Sequence, residues 1–370
     1  MTNRIDNKTP FMAILPAEHI KCELQARGMS KKELASRMEI QQSNVSRLLR
    51  GETPITLRTA EKLERAFDID KQFWLNLQAR YNEDTAAIES RNELEEKAIN
   101  EEKMLASFFN MKEIYERLGI NIYMFVQKKL EKLKSIFGVQ PLEMINMITQ
   151  LHGAFKKSMH DTNEINLNTW IMLAQLSAMQ NAPSNTFKHG NAASASTEIA
   201  RRVHENNLTE SDIKDILSSN GISYSVVKKL DKTPVDGYST WVNGYPSIVT
   251  THRYNDMAML IFTILHELGH IELHLSADKN ISYISTTESY TSDDSHEKEA
   301  NRFAEEKLIS DKAWNDIMKS SSVGIASWDI MKVLKAKAKQ YKFNWYIVLW
   351  RYRHDTNIYA IKGIKPNPIK

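Results

Sequence analysis

The segment that most constrains this chain is residues 264–270, with the sequence ILHELGH, an apolar stretch that contains two histidines and a glutamate. Its hydrophobic spacing predicts a buried helix, on which positions four apart lie on the same face. His266 and His270 therefore point in one direction and can bind one metal ion, with Glu267 beside it. A hydrolytic zinc site needs a third protein ligand and an open position for water, so the rest of the sequence has to supply that ligand.

The third ligand is predicted on a second amphipathic helix, which begins near residue 295. Its apolar residues Ala300, Phe303, Ala304 and Leu308 recur at the three- and four-residue spacing of one helix face. Glu297 lies on that same face, whereas Glu299 lies off it. We therefore predict that Glu297 completes the set of metal ligands.

The other histidines are given no part in metal binding. His274 faces the same way as His266 but lies eight residues on, which is about 12 Å along a helix and too far to share an ion. We predict a buried, hydrogen-bonded structural residue there. Surface positions are predicted for His160, His189 and His204.

Three short runs rich in β-branched and aromatic residues precede the metal helix, at residues 222–227, 238–242 and 247–251. Such runs are typical of strands. Asn243-Gly244, between the last two, favours a tight hairpin turn. The C-terminal region is therefore predicted to combine a small β-sheet with helices.

The N-terminal region has the pattern of a small helical domain. Apolar spacing predicts a first helix over residues 16–27, ended by Gly28. Ser30 can cap a second helix, with Glu33 at the spacing of a capping box. A tight turn then leads to a third helix over residues 42–50. Two short helices joined in this way are typical of a helix-turn-helix, whose second helix enters the major groove of DNA.

The exposed side of the third helix carries side chains suited to reading DNA. Gln and Asn amides can pair with adenine and Arg with guanine, while other basic side chains hold phosphates. An ordinary helical bundle with a solvated polar face is the alternative that the spacing leaves open. The predicted DNA-contacting residues are Gln41, Gln42, Ser43, Asn44, Ser46, Arg47, Lys31, Arg50 and Arg58.

Charge and composition limit the possible partners of the chain and its expected location. The formal net charge is only +3, but residues 1–82 and 311–370 are basic and residues 83–103 are acidic, so nucleic acid is a candidate partner at either end. The basic segments at 328–340 and 344–353 predict two helices, and a solvated face is favoured over DNA contact.

With Cys22 as the single cysteine, no intramolecular disulfide can form. No signal-peptide pattern or membrane-length apolar run occurs, so we expect a cytoplasmic protein without a membrane partner.

These patterns predict a mainly α protein with a small β-sheet. Its expected parts are a helix-turn-helix DNA-binding domain at residues 1–82, a helical connecting region at 83–194 and an α+β domain with a basic helical tail at 195–370.

Six N-terminal segments occur in one order: LPAE at 15–18, GMSKKELA at 28–35, SRLLRG at 46–51, PIT at 54–56, AEKL at 60–63 and FWLNLQ at 73–78. They resemble the HigA-type antitoxins of the XRE family of repressors over nearly all of residues 13–81. The resemblance implies a lambda-repressor-like fold with a fifth helix packed under the DNA-reading pair. It also implies a homodimer on double-stranded operator DNA, with two recognition helices about one DNA turn apart.

Four C-terminal segments, NGYPSI at 243–248, FTILHELGH at 262–270, LH at 273–274 and ExxANxFA at 297–304, resemble the ImmA/IrrE family of metallopeptidases. The similarity covers about residues 195–310 and extends weakly to about 353. It implies a zincin-like fold and Zn²⁺ bound by three of these side chains. The implied ligands are His266, His270 and Glu297, with Glu267 as general base and Asn301 as an orienting residue.

Two details of the resemblance stay open. The donor that stabilises the oxyanion is unassigned, with Tyr283, Tyr290 and His274 as candidates. The family commonly closes the second helix with Leu-Leu-Met-Pro, whereas this chain has Lys-Leu-Ile-Ser at residues 307–310, so the end of that helix is not fixed.

Three functions fit these features. The first is a DNA-binding regulator or antitoxin whose zinc peptidase domain cleaves itself, a repressor or a toxin. The second is an enzyme that the DNA-binding domain only localises. The third is a non-catalytic antitoxin whose peptidase-like domain binds a toxin or senses a ligand.

Overall fold

The computed structural model describes residues 9–152, 162–286, 294–321, 327–358 and 366–369. Helices dominate, and one four-stranded sheet lies in the C-terminal half, which confirms the predicted fold class. Contacts divide the chain into two compact units. The first comprises described residues up to Glu101 with Phe125–Lys128, and the second Glu102–Met124 with the described residues from Lys129 onward.

The first unit is built from short helices around one apolar core. Its helices are α1 (Pro16–Ala26), α2 (Lys31–Arg37), α3 (Gln42–Leu49), α4 (Leu57–Phe67) and the first part of α5 (Lys71–Ala106). The fully buried side chains of the core include Ile20, Leu34, Val45, Leu63 and Trp74.

The predicted cap residue Ser30 and the predicted stop at Gly28 act as helix-end signals in this unit, whereas the Glu33 carboxylate pairs with Arg37 and does not complete a capping box. The Ser30 hydroxyl accepts a hydrogen bond from the Glu33 backbone N–H at 3.1 Å, which satisfies one free donor of α2. After α1, Gly28 takes a left-handed conformation with φ of +61°, which glycine adopts without steric cost. The three helices predicted over residues 16–50 are therefore confirmed, with ends that differ by one residue.

The second unit contains eleven further helical segments among the described residues. Before the sheet come α6 (Met111–Arg117), α7 (Val126–Phe137, whose first turn belongs to the first unit), α8 (Glu143–His152), α9 (Glu164–Gln180), α10 (Asn191–His204) and α11 (Glu210–Ser219). After its third strand come α12 (Met257–His270), α13 (Ser295–Leu308), α14 (Asp311–Ser321), α15 (Ser327–Tyr341) and α16 (Trp345–Thr356).

The sheet has the order β1-β3-β2-β4, formed by β1 (Ser223–Val226), β2 (Val235–Val242), β3 (Tyr245–Thr250) and β4 (Tyr283–Thr286). Strand β1 is parallel to β3, while β2 is antiparallel to both β3 and β4. Asn243 and Gly244 both have positive φ, as a two-residue hairpin turn of type I′ requires. The predicted hairpin is thus confirmed, whereas β4 had no counterpart in the predicted strands.

The two faces of β2 contact different helices, because side chains alternate along a strand. Gly237 lies against α12, at Thr263 and Glu267. The hydroxyl of Tyr238 accepts a hydrogen bond from Gln175 of α9 at 2.6 Å. The sheet is therefore enclosed between α9 and α12, which makes α12 a buried and rigid support.

Two sequence predictions are wrong in this unit. Helix α16 is not a solvated basic helix, because Ile347, Val348 and Leu349 are buried and Arg351 donates to the carbonyl of Ile309 at 2.7 Å. His204 is not a free surface residue, because its ring nitrogens bind a backbone carbonyl of α13 at 2.7 Å and a backbone N–H before α16 at 3.0 Å. The basic composition of these segments does not indicate that Arg351 and His204 bond to the backbone and hold the C-terminal helices together.

His189 is exposed, as predicted, and His160 lies outside the described residues. Helix α13 ends at Leu308 although the family's usual closing sequence is absent. Within the described ranges, no helix combines the length and apolarity that crossing a membrane requires.

Candidate metal centre and helix-turn-helix surface

Three side chains from two helices converge inside the second unit. The Nε2 atoms of His266 and His270 on α12 are 3.0 Å apart. Glu297 on α13 contributes its carboxylate: Oε2 lies 3.3 Å from His266 Nε2, and Oε1 lies 3.4 Å from His270 Nε2. The structure thus brings together the three residues predicted as ligands.

This donor set fits a divalent metal ion. Zinc ligands lie about 2.0–2.1 Å from a tetrahedral ion, which puts neighbouring donor atoms about 3.3 Å apart. Both imidazoles are fully buried, and the Glu297 side chain is 13% exposed. Two neutral imidazoles and one carboxylate are also a common combination in catalytic zinc sites.

The protonation states favour metal binding as well. Burial lowers the pKa of His270 to about 3, so its ring is neutral near pH 7. Burial alone would raise the pKa of Glu297, but hydrogen bonds from the two imidazoles outweigh this effect and lower it to about 2. At neutral pH the cluster therefore offers a neutral imidazole and an ionised carboxylate, the forms that metals bind.

Glu267 is fully buried beside the two histidines. Burial raises the pKa of its carboxyl to about 7. His266 and the hydroxyls of Ser239 and Ser285 lower this pKa in part. A carboxyl group that titrates near neutral pH can both accept and release a proton during one reaction cycle.

Two glycines create the space that this arrangement needs. A Cβ atom at Gly237 would overlap Glu267 Oε1 and lie 2.8 Å from Thr263 Cγ2. A Cβ atom at Gly269 would lie 3.0 Å from the Cα atom of Ala300. The first glycine leaves room for the glutamate, and the second allows α13 to approach α12 closely.

Of the other residues predicted around the site, some lie within the described residues and one lies outside them. Asn301 is buried on α13, one turn after Glu297. The ring of Tyr283 stacks on His270 with 4.0 Å between centroids, and its hydroxyl lies 3.0 Å from His296 Nδ1. Tyr290 lies outside the described residues.

Sequence reasoning missed several residues of this site, namely Gly237, Ser239, Ser285 and the stacking of Tyr283. The period-two alternation of β2 was the available signal, because it puts residues 237 and 239 on one face. No local signal identified β4, which supplies Ser285 and Tyr283.

A second group of possible ligands, Glu305, His354 and Asp355, also lies in the second unit. Its carboxylates already have partners: Arg351 Nη2 lies 3.3 Å from Glu305, and Trp314 Nε1 donates to Asp355 at 2.8 Å. The positive guanidinium opposes a cation there, so we interpret this group as structural.

In the first unit, nearly all residues predicted to contact DNA are exposed. All of them are exposed except Ser46, which is half-buried and donates to the Gln42 carbonyl. A groove of about 840 Å³ beside α3 is lined by Gln41, Asn44 and Arg58. Arg47 and Arg50, in contrast, are both paired with one acidic residue.

That acidic residue is Glu52. Its carboxylate lies 3.0 Å from Arg50 Nη2 and 3.7 Å from Arg47 Nε. Hydrogen bonding to Arg50 lowers the pKa of Glu52, so the carboxylate is ionised at neutral pH. Two of the three arginines predicted to bind DNA are thus held by an internal anion.

Comparison with known proteins identifies both regions of the chain. Residues 20–74 match a helix-turn-helix family, and residues 224–345 match the IrrE N-terminal-like domain of a peptidase group designated M78. Fold and site thus define a helix-turn-helix protein that carries a peptidase-family domain. By its N-terminal region the chain belongs to the helix-turn-helix family, and its C-terminal region contains a domain similar to the IrrE N-terminal-like domain.

Two relatives resemble about a fifth of the chain. Virulence-associated proteins I and A′ of Dichelobacter nodosus are 36% identical over 76 residues and 34% identical over 68 residues. These alignments cover 20% and 18% of this chain, and 70% and 59% of the two relatives.

Two solved structures resemble a similar share of the chain. One is an addiction module antidote protein of the HigA family from Coxiella burnetii, with 33% identity, coverage of 23% of this chain and 95% of that chain, and a TM-score of 0.22. The other is the Pseudomonas aeruginosa antitoxin HigA with the higBA promoter, with 30% identity, coverage of 22% and 90%, and a TM-score of 0.21.

Proposed function

We propose that this chain is a sequence-specific DNA-binding regulator of the antitoxin or repressor kind, with a zinc-dependent endopeptidase domain that cleaves a protein substrate. The observation that carries the enzymatic part is the combination of three converging donor atoms with a buried carboxyl of pKa about 7 beside them. The proposed ligands are His266, His270 and Glu297. When bound, the zinc ion would act as a Lewis acid that polarises a water molecule and the substrate carbonyl.

The chain's own residues supply the proton transfers. The Glu267 carboxylate accepts a proton from the attacking water and returns it to the leaving amine nitrogen as the peptide C–N bond breaks. Because this carboxyl has a pKa near neutrality, both transfers are possible at one pH. Asn301 is proposed to help hold the ligand set, as the family resemblance implies.

The regulatory part of the proposal rests on the first unit. Its helix-turn-helix exposes two amide side chains and Arg47 together on α3, and such side chains pair with base edges in the major groove. A protein of this class binds two half-sites as a homodimer, so we propose a dimer on operator DNA. The similar HigA antitoxin structure with its promoter supports the same partner.

Metal analysis of the full chain tests the enzymatic part. The wild type is expected to hold about one zinc ion and His266→Ala almost none, while His189→Ala, at an exposed histidine, serves as the matched control. Glu267→Gln should keep the metal but lose cleavage of the products of neighbouring genes. A wild type that retains no zinc would contradict the proposed site.

Binding to DNA upstream of the chain's own gene tests the regulatory part. Each bidentate base contact contributes about 1–3 kcal/mol, so the double variant Gln42→Ala with Arg47→Ala should bind at least about tenfold more weakly. Arg80→Ala removes an exposed positive charge on α5 and serves as control. Equal affinity of the double variant and the wild type would remove α3 as the recognition helix.

The second function that a specific observation favours is a non-catalytic antitoxin, because one of the similar structures is an addiction module antidote protein. In that case the C-terminal domain binds a toxin or senses a ligand. Stoichiometric recovery of a small toxin with both wild type and Glu267→Gln, without cleavage, would favour it over the endopeptidase.

A further inference from the structure

A hydrogen-bonded chain begins at one of the proposed metal-binding histidines and ends at the protein surface. The Nδ1 atoms of His270 and His274 are 3.2 Å apart. The Nε2 atom of His274 lies 3.0 Å from Glu299 Oε2. His274 is buried, whereas the Glu299 side chain is 60% exposed.

The protons in this chain follow from metal binding through His270 Nε2, the atom that faces His266 and Glu297. A neutral imidazole carries one proton, so a ring that binds a metal through Nε2 carries its proton on Nδ1. That N–H has an acceptor only if the Nδ1 atom of His274 keeps its lone pair. The proton of His274 must then lie on Nε2, where the Glu299 carboxylate accepts it.

We infer that His274 and Glu299 are positioning residues that hold His270 in the tautomer and orientation needed to bind zinc. Metal-binding histidines commonly donate their second nitrogen to a neighbouring acceptor, which fixes the ring and raises its basicity. Here the acceptor is another histidine, itself fixed by a carboxylate. The inference deepens the proposed function and rests on the zinc site proposed above.

The backbone and a stacked ring support this arrangement. Helix α12 continues into a π-helical turn, Ile271–Leu275, which contains His274. A π turn includes one more residue than an α turn, so it changes the direction of the side chains it carries, and such turns are frequent at functional sites. The ring of Tyr283 stacks on the other histidine of the pair, His270, and limits the rotation of that imidazole.

Zinc affinity of the full-length chain, measured at one fixed pH by competition with a chromophoric chelator, tests the inference. His274→Leu is expected to weaken zinc binding about 10- to 100-fold, and Glu299→Ala about tenfold. Glu299→Gln should lose less, because its amide oxygen still accepts the proton of His274. Glu306→Gln removes an equal charge from the exposed side of α13 and should leave affinity unchanged.

The double variant distinguishes a connected chain from two separate effects. If Glu299 acts through His274, Glu299→Ala has no further effect on zinc affinity once His274 is leucine. Additive losses, or wild-type affinity in both single variants, would overturn the inference. Glu299 is exposed, so its variants are expected to fold even if His274→Leu does not.

A second measurement does not depend on zinc. The imidazole ¹⁵N spectrum of the metal-free protein should show the His274 proton on Nε2, where Glu299 accepts it, and Glu299→Ala should convert this signal into a mixture of tautomers. A His274 ring protonated on Nδ1 in the wild type would contradict the inference directly. A wild type that binds no zinc contradicts the proposed function, whereas zinc binding that is insensitive to His274 and Glu299 contradicts the positioning inference alone.

Discussion

At the scale of single residues, the position of the carboxylate proposed as general base depends on a glycine in the neighbouring strand. Gly237 has no Cβ, and an added one would overlap Glu267 Oε1. Gly237→Ala should therefore displace the carboxylate and reduce peptidase activity at least about 100-fold, the order of effect expected when a general base is lost. Zinc content should remain near that of the wild type, because no metal ligand is touched.

Activity on an identified substrate or a quenched fluorescent peptide library, together with metal analysis, checks this prediction. Val242→Ala removes buried volume from the same strand away from Glu267 and controls for loss of stability. If Gly237→Ala cleaves as fast as this control, the glycine does not determine the position of Glu267.

A second residue-scale prediction concerns the anion that holds two arginines in the first unit. Glu52→Gln removes the charge that pairs with Arg50 and Arg47, and both then become free to contact phosphates. DNA affinity should rise, and each added phosphate contact should steepen the dependence of log K on log salt by about 0.9.

Fluorescence anisotropy titrations at several salt concentrations measure both effects. Asp68→Asn removes an equal charge at a left-handed position that asparagine also tolerates, and provides the control. Weaker DNA binding by Glu52→Gln would mean that the carboxylate orients Arg47 for binding and does not compete with DNA.

At the scale of elements, the ligand geometry depends on the close contact between α12 and α13. A Cβ atom at Gly269 would lie 3.0 Å from Ala300 Cα and 3.2 Å from its carbonyl oxygen, so α13 would have to move by a few tenths of an ångström. Metal ligand distances tolerate about 0.2 Å. Gly269→Ala should therefore shift Glu297 and weaken zinc binding about tenfold.

The same chelator competition measures this change, with Ala300→Gly as the control at the other side of the contact. That control costs about 1 kcal/mol in helix propensity but does not separate the helices. Wild-type zinc affinity in Gly269→Ala would show that the spacing of the two helices does not set the position of Glu297.

The elements also explain which parts of the site could be predicted from sequence. His266, His270 and Glu297 were found because helix periodicity is local and shows which side chains share a face. Strand β4 was missed because it has four residues and pairs with β2, about 45 residues earlier, so its position depends on non-local pairing. The connection from His274 to Glu299 was missed for the same reason, since it joins two helices.

At the scale of the whole molecule, each unit has its own apolar core. The first contains Trp74 and the side chains packed around it, and the second contains the apolar residues of α12. Among the described residues, groups of three possible metal ligands occur only in the second unit. Metal binding should therefore stabilise one unit directly and leave the core of the other unchanged.

Thermal unfolding with and without zinc tests this division. A ligand present at 100 times its dissociation constant stabilises the state that binds it by about 2.7 kcal/mol, so added zinc should raise the melting temperature of the second unit by several degrees. The transition reported by Trp74 fluorescence, in a variant that retains only this tryptophan, should not move. His266→Ala should abolish the zinc-dependent shift without changing the Trp74 transition. A zinc-dependent shift of the Trp74 transition that disappears in His266→Ala would contradict this division. Metal binding would then stabilise the DNA-binding unit as well, and the two units would have to unfold as one.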